Sequence, residues 1–172
     1  MQKYIKAGML TLVLALPAFI VLFLHSFGEN HFELPYFVPA VDAAGKPILN
    51  GKDTVFYQVP SAVQGTIKVA GFFNPDSDAV VRQHFDRAKK LFEKEASFSV
   101  EKGAPELLID TYKLGNLKNG KSKQTIPYNE QLVLVDKQGY IRGFYNGKDE
   151  KDVERLVTEI SVLLDIYQKK EK

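Results

Sequence analysis

The residues best placed to do chemistry lie in the segment from Thr66 to Asp78, TIKVAGFFNPDSD. Its first half is rich in β-branched and aromatic residues and predicts a strand, which Asn74 and Pro75 then interrupt. A helix is expected to open at Asp76 or Ser77. Such a junction is where α/β proteins usually carry catalytic groups, because the free N–H groups and the positive dipole end of the helix point into it. Here the junction holds carboxyl and hydroxyl groups, but no Cys, no His and no glycine-rich loop.

These side chains also have a structural explanation. Ser77 has no His near it in the sequence to activate its hydroxyl group, whereas Ser commonly caps a helix at such a position. Asp76 and Asp78 match the acidic residues that a helix dipole attracts, and the alternative is a weak cation site. We therefore predict no catalytic residue in this segment.

The composition excludes several kinds of function. The 172 residues carry a net charge of only +2, which argues against nucleic acid as a partner. The chain has no Cys, so a disulfide framework, a thiolate metal site and a CxxC redox pair are all excluded. Its three histidines, His25, His31 and His84, have no second ligand at metal-binding spacing, so neither a metal nor a cofactor is predicted.

The first residues predict a membrane anchor. Ala7 to Phe27 contains no charged residue over 21 positions, enough to cross roughly 30 Å of hydrocarbon. The alternative is a cleaved signal peptide, although Ser26-Phe27-Gly28 is a poor cleavage site. Lys3 and Lys6 precede the span, whereas the flank after it carries Glu29, Glu33 and Asp42 and has no Lys before Lys46. The positive-inside rule then predicts a single-pass protein of the bacterial inner membrane, with a cytoplasmic N-terminus and a periplasmic domain.

The periodicity predicts an anchor at 1–27, a connector at 28–52, one domain at 53–168 and a basic tail at 169–172. Within the domain, a β-α-β unit, a β-hairpin and a closing helix predict a thioredoxin-like α/β fold, a mixed sheet flanked by helices. The predicted strands are Thr54–Val59, Thr66–Phe73, Ala96–Val100, Glu130–Asp136 and Tyr140–Tyr145, and the predicted helices are Asp76–Glu95, Pro105–Leu114 and Asp149–Tyr167.

One segment resembles a known family. Leu132 to Gly147, LVLVDKQGYIRGFYNG, resembles the LVLVDxxGxIRGxYxG segment of the Sco/SenC family. Gly28–Phe32 and Leu34–Phe37 look like the connector of some bacterial members, and Val69–Phe73 is similar to the strand before the family's CxxxC motif. The family consists of membrane-anchored thioredoxin-fold proteins that deliver copper or reducing equivalents during cytochrome c oxidase assembly. The resemblance therefore implies respiratory oxidase subunits or copper-handling proteins as partners.

The chain departs from this family at its reactive positions. Counted from the shared strand, the two cysteines fall at Ser77 and Val81, and the copper-binding His falls at Tyr128. Two thiolates and an imidazole are what make such a site select copper, so the resemblance implies a degenerate site here. In the thioredoxin fold a Pro before the corresponding strand faces this site and is often cis. Pro127 is the candidate for such a bond.

The favoured hypothesis is a non-redox, non-copper-binding accessory or assembly factor, which is not an enzyme. Two alternatives remain: a binding domain whose partner is unrelated to respiration, and a peroxidase-like or isomerase-like enzyme that reuses the cleft. If they are exposed, five aromatic residues would together line an apolar groove at the position of the family's redox site and form a partner surface, and if they are buried they belong to the core: Tyr36, Phe37, Phe72, Phe73 and Tyr128. The expected partner surface consists of Tyr36, Phe37, Asn74, Pro75, Asp76 and Asp78.

Overall fold

The computed structural model describes residues 13, 15–23, 34–60, 65–73, 78–103, 105–114 and 126–170. The chain divides into two compact units, Met1–Glu33 and Leu34–Lys172. In the first unit the described residues are helical and their side chains are exposed. None of the helices in the described ranges is long and apolar enough to cross a membrane. Much of the predicted span from Ala7 to Phe27 lies outside those ranges.

The second unit is a mixed α/β domain. It also contains a short 3₁₀ turn at Tyr128–Glu130. The elements are β1 (Leu49–Asn50), β2 (Asp53–Thr54), β3 (Ile67–Gly71), α1 (Ala79–Phe92), β4 (Phe98–Lys102), α2 (Pro105–Tyr112), β5 (Gln131–Val135), β6 (Ile141–Asn146) and α3 (Glu150–Lys170).

Four of these strands form one sheet in the order β4-β3-β5-β6. Strands β3 and β4 are parallel and are joined through α1, whereas β5 is antiparallel to both β3 and β6. A parallel β-α-β unit followed by an antiparallel hairpin and a closing helix is the thioredoxin arrangement. The predicted fold class, a mixed sheet flanked by helices, is confirmed.

The sheet is covered on both faces, which explains why β3 and β5 are buried along their whole length. On one face, Ile67 and Val69 pack with α1 and α3. On the other face, Ala70 and Phe72 pack with Tyr112 of α2. Alternate residues of a strand point to opposite faces, so the continuous apolar run of β5 supplies both clusters.

The prediction of a strand from Thr54 to Val59 is wrong. Only Asp53–Thr54 forms a strand there, and Phe56 and Gln58 make single bridges to Pro39 and Tyr140. The backbone of this segment pairs mainly with the connector, and the segment is not a strand of the central sheet, whose last strand is β6. Residues 38–57 thus fold into a small β structure, which we call the ribbon.

Candidate functional site

The strand directions bring several chain segments to one end of the sheet. Strands β3, β4 and β6 finish there and β5 begins there, since Gly71 pairs with both Lys102 and Leu132, and Gln131 pairs with Asn146. We call this edge, with Asp78, Glu130 and residues 146–148, the α1 end. It is the edge where a thioredoxin fold carries its reactive groups, because α1 begins there and its N–H groups are free.

Helix α1 begins later than the sequence predicts. Asp78 occupies the N-cap position and Ala79 is the first helical residue, so the helix opens at neither Asp76 nor Ser77. The Asp78 side chain makes no capping hydrogen bond and is buried. A buried carboxylate needs a compensating charge. Residues 74–77, which hold four of the predicted site positions, lie outside the described ranges.

Lys148 supplies that compensating charge. Its Nζ lies 2.5 Å from Glu130 Oε1 and 4.0 Å from Asp78 Oδ1. The hydrogen bond to Glu130 raises the pKa of Lys148 above its usual value, and the Asp78 charge acts in the same direction. The Lys148 N–H also donates to Asn146 Oδ1 at 2.9 Å, which fixes the loop after β6. One ammonium group therefore joins the loop after β6, the turn before β5 and the start of α1.

The backbone at Gly147 ties the same three segments together. Gly147 N–H donates to Glu130 O at 2.7 Å, and His84 Nδ1 of α1 lies 2.7 Å from Gly147 O. A Cβ atom at Gly147 would lie 2.6 Å from Val81 Cγ1, so only glycine fits at this close approach. The His84 nitrogen is thus engaged by the backbone. The described residues contain no group of three His, Cys, Asp or Glu that could hold a metal ion.

The positions equivalent to the family's ligands differ in burial. Val81 is fully buried and belongs to the core cluster between the sheet, α1 and α3. Tyr128, by contrast, lies in the 3₁₀ turn and 49% of its side chain is exposed. At the positions that the sequence resemblance aligns with the family's ligands, this chain therefore has an apolar core residue, Val81, and an accessible ring, Tyr128. Neither group can take part in thiol exchange.

The candidate cis bond at Pro127 is not present. All peptide bonds in the described ranges are trans, including Ile126–Pro127, and Pro127 has φ −55° and ψ 137°. The carbonyl of Ile126 accepts a hydrogen bond from Gln131 Nε2 at 2.6 Å. This contact anchors the segment before β5 while its prolyl bond is trans.

The predicted partner surface is not one surface. Phe37 N–H donates to Ile141 O at 3.1 Å, which places Phe37 beside the first residue of β6. Asn146, at the last residue of this strand, lies about 17 Å away at about 3.4 Å per residue. Tyr36 and Phe37 therefore lie at the opposite end of the sheet from Asp78. Phe72 and Phe73 are buried in different clusters, so they are core residues and line no groove.

The sequence interpretation missed Lys148, Glu130 and the contact of His84. A signal was present, because an antiparallel hairpin must return its second strand to the edge at which its first strand began. The residues after Asn146 were therefore bound to meet those before Gln131. The choice of Lys148 as the shared cation depends on side-chain packing, which periodicity does not encode.

Comparison with known proteins gives only distant similarities. No family model and no curated protein matches the chain. A candidate protein disulfide isomerase from Bacteroides thetaiotaomicron is 15% identical, with a TM-score of 0.41 over 76% of this chain and 87% of that one. A SCO1/SenC family lipoprotein from Bacillus anthracis str. Ames is 12% identical, with a TM-score of 0.41 over 78% and 96%. BsSco, a member of the Sco family of cytochrome c oxidase assembly proteins, is 12% identical, with a TM-score of 0.40 over 77% and 93%.

The assignment of the fold rests on the strand order and directions of the sheet itself. Together with the α1 end, they define a thioredoxin-fold protein that has no thiol chemistry of its own.

Proposed function

We propose that this chain is a membrane-anchored, outward-facing thioredoxin-like protein that acts by binding, as an accessory or assembly factor of a respiratory oxidase. One observation carries the proposal. At the α1 end, Lys148 joins Glu130 and the buried Asp78, and the fully buried Val81 stands at a former thiol position. A chain without Cys has no thiol to exchange there. What this end offers instead is a surface.

The respiratory partner is supported by the segment from Leu132 to Gly147. This segment is the β5–β6 hairpin together with the loop that carries the Gly147 contacts. The resemblance to the Sco/SenC family therefore covers half of the central sheet and one side of the α1 end. Membrane attachment is supported by the 21 uncharged residues from Ala7 to Phe27.

The surface at the α1 end suits a protein partner. Tyr128 presents an exposed ring, and aromatic side chains are enriched where proteins bind one another. Lys148 is about half exposed and can exchange an intramolecular carboxylate for one on a partner. Tyr128 lies in the same turn as Glu130, the partner of Lys148, so this surface has both apolar area and a charge that selects its partner.

Capture from solubilised membranes tests this function. The full chain serves as bait in three forms: unchanged, with Tyr128→Ala plus Lys148→Glu at the α1 end, and with Leu91→Ala on the exposed side of α1 as a matched control. We expect oxidase subunits or assembly proteins to be enriched by the unchanged bait and the control, and lost with the double variant. Repeated failure to enrich any such protein rejects the respiratory role, and a consistent unrelated partner supports the alternative binding domain.

Copper titration tests whether the chain acts without binding copper. The chain lacks the two thiolates and the imidazole that select Cu(I), so we expect no tight Cu(I) binding. The titration uses the full chain in detergent, with a competing chelator that reports free Cu(I). Binding tighter than about 1 μM, a free energy near −8 kcal/mol, would show that other residues have replaced the lost ligands.

A further inference from the structure

We propose that the ribbon, residues 38–57, lies on the surface of the lipid bilayer with its exposed aliphatic side chains in the interfacial region. This inference rests on the membrane attachment in the proposed function, and it adds a second contact with the same membrane. The observations that carry it are the ordered backbone of the ribbon, its exposed side chains, its charge and its place in the chain.

The ribbon is ordered without a core of its own. Three backbone hydrogen bonds close a ring: Ala40 N–H donates to Val55 O at 2.8 Å, Ile48 N–H to Ala40 O at 2.8 Å, and Val55 N–H to Ile48 O at 2.9 Å. At the turn, Asp42 Oδ1 accepts from the N–H groups of Ala44 and Lys46, each at 2.9 Å. A backbone that satisfies its own polar groups can approach lipid at low cost.

The ordered backbone holds apolar side chains out in solvent. Every residue from 41 to 55 is exposed, so none of the described elements of the second unit covers this stretch. Leu49 in β1 is 60% exposed. An ordered, protruding group of aliphatic side chains is typical of a contact surface rather than of a solvated loop. Its large exposed members are Val41, Ile48, Leu49 and Val55.

The base of the ribbon carries aromatic residues. Tyr36 stacks on Phe56 at 4.8 Å between ring centroids and meets Tyr140 edge-on at 5.1 Å. Tyr36 and Phe37 are still partly exposed. Rings with one apolar side and one polar group prefer the boundary between lipid and water. Exposed aliphatic side chains along the ribbon and aromatic rings at its base are the groups that the interfacial region of a bilayer accommodates.

The charge of the ribbon favours apolar contact over electrostatic attraction. Lys46 and Lys52 are balanced by Asp42 and Asp53, so the net charge is zero. The Asp42 carboxylate is already engaged by the turn. A surface without net charge is not drawn to anionic headgroups, and its binding should depend on buried apolar area alone.

The position of the ribbon in the chain identifies lipid as the partner. Leu34, the first residue of the second unit, follows the predicted end of the span at Phe27 by seven residues. Even a fully extended link of this length reaches only about 25 Å. In an anchored chain this link limits how far Leu34 can move from the bilayer, which gives lipid a high effective concentration near the second unit compared with a diffusing protein.

A single introduced tryptophan tests the contact, because the chain contains none. The full chain is inserted into phosphatidylcholine vesicles whose acyl chains carry bromine, which quenches tryptophan that enters the lipid. Three variants are compared: Leu49→Trp in the ribbon, Leu16→Trp in the first unit, and Leu91→Trp on α1 as the matched control. Leu91 is 55% exposed, close to the value for Leu49. Circular dichroism confirms that each variant is folded.

We expect quenching to be strongest for Leu16→Trp, intermediate for Leu49→Trp and weakest for Leu91→Trp, with the value for Leu49→Trp unchanged by high salt. If Leu16→Trp is quenched but Leu49→Trp is quenched no more than Leu91→Trp, the ribbon does not contact lipid. That result overturns the inference and leaves the membrane anchor supported. Loss of the Leu49→Trp quenching in salt shows an electrostatic contact and also overturns the inference. Absence of quenching at all three positions rejects both the anchor and the ribbon contact.

Discussion

The two ends of the sheet both hold buried carboxylates, but the cation that faces them is exposed at one end and buried at the other. At the α1 end, the ammonium of Lys148 is about half exposed and faces the carboxylates of both Glu130 and Asp78. At the other end, which we call the far end, Asp136 and Arg142 are both buried and their closest charged atoms are 3.6 Å apart. The Tyr36 ring covers the Arg142 guanidinium at 4.0 Å. Burial and the Asp136 charge raise the pKa of the neighbouring Tyr167 to about 12.

This difference in exposure decides which of the two cations a second protein can reach. The Lys148 side chain is about half exposed, so its ammonium can also meet a carboxylate on another protein, while the largely buried Glu130 and Asp78 hold it at the α1 end. A buried pair contributes specificity but leaves a costly unpaired charge when one member is removed. The α1 end is therefore suited to recognition, and the far end to holding the connector against β6.

Removal of the buried cation should give the largest effect. Arg142→Met leaves the Asp136 carboxylate buried and without its counter-charge, and we expect a loss of about 3 kcal/mol in the free energy of unfolding. The estimate lies at the low end of the range for such pairs because Asp136 Oδ1 still accepts from the N–H groups of Gln138 and Tyr140. Urea unfolding of the full chain in mild detergent, followed by circular dichroism, measures the change.

The matched control neutralises the remaining charge. Asp136→Asn keeps a carbonyl oxygen for the same turn, so the double variant with Arg142→Met should recover more than half of the loss. A double variant as unstable as Arg142→Met alone would mean that the packing of Arg142 under Tyr36, rather than its charge, stabilises the far end.

At the α1 end the largest expected effect comes from packing rather than charge. Gly147→Ala places a Cβ atom against Val81 Cγ1 and 3.0 Å from the carbonyl oxygen of Glu130. Overpacking of this kind costs about 1 to 3 kcal/mol. Adding Val81→Ala removes one of the two clashes and should recover part of the loss, as measured by the same urea unfolding. If the two losses simply add, the α1 helix does not touch this loop as closely as the structure indicates.

A third ion pair lies between the two ends and has an intermediate environment. Glu101 Oε2 accepts from the buried Lys68 Nζ at 2.8 Å and from Tyr112 OH at 2.6 Å. Burial raises the pKa of Glu101, but the hydrogen bonds from Lys68 and Tyr112 outweigh it and lower the pKa below its usual value of 4.5. Stability from this group is therefore present above pH 4.5 and is lost as the pH falls through the lower, folded-state pKa.

Glu101→Gln should consequently cost about 1 to 2 kcal/mol at pH 7, the size expected for hydrogen bonds to a charged group. The difference from the unchanged chain should shrink as the pH falls below 4.5, because both chains then carry a neutral side chain. Urea midpoints at pH 7 and in the acid range measure this difference. Glu93→Gln, at the exposed C-cap residue that follows α1, is the control and should change neither midpoint. If the difference in urea midpoint between Glu101→Gln and the unchanged chain stays constant with pH, the lost stability comes from the shape of the side chain rather than from its charge.

The fold could be predicted because its signals are local and strong. The apolar run from Leu132 to Val135 and the helical stripe of α3 each determine one element, and the order of elements then leaves few topologies. The segment from Thr54 to Val59 failed because β propensity shows that a strand forms but not what it pairs with. Its bridges to Pro39 and Tyr140 depend on how the connector folds back.

The candidate site was harder to predict because its chemistry lies in contacts between distant segments. Asp78, rather than Ser77, occupies the N-cap position, a shift of one residue that propensity cannot resolve. Lys148 meets Glu130 only after the hairpin has closed, and they are 18 residues apart in the chain. The missing thiols, in contrast, could be read directly, since no fold can supply a residue that the chain lacks.

The smallest effect on stability should come from Lys148. Lys148→Met removes a charge whose own side chain is about half exposed, so we expect a smaller fall in the urea midpoint than for the other variants, while capture of the membrane partner falls sharply and loses its salt dependence. The buried Asp78 limits how small the effect on stability can be, since Lys148 is one of the charges that face it. Adding Asp78→Asn to the Lys148→Met chain removes the buried negative charge, so that any remaining effect on capture comes from binding rather than stability. A Lys148→Met chain that unfolds as easily as Arg142→Met would make the α1 end a structural ion network like the far end. The recognition surface would then have to lie elsewhere.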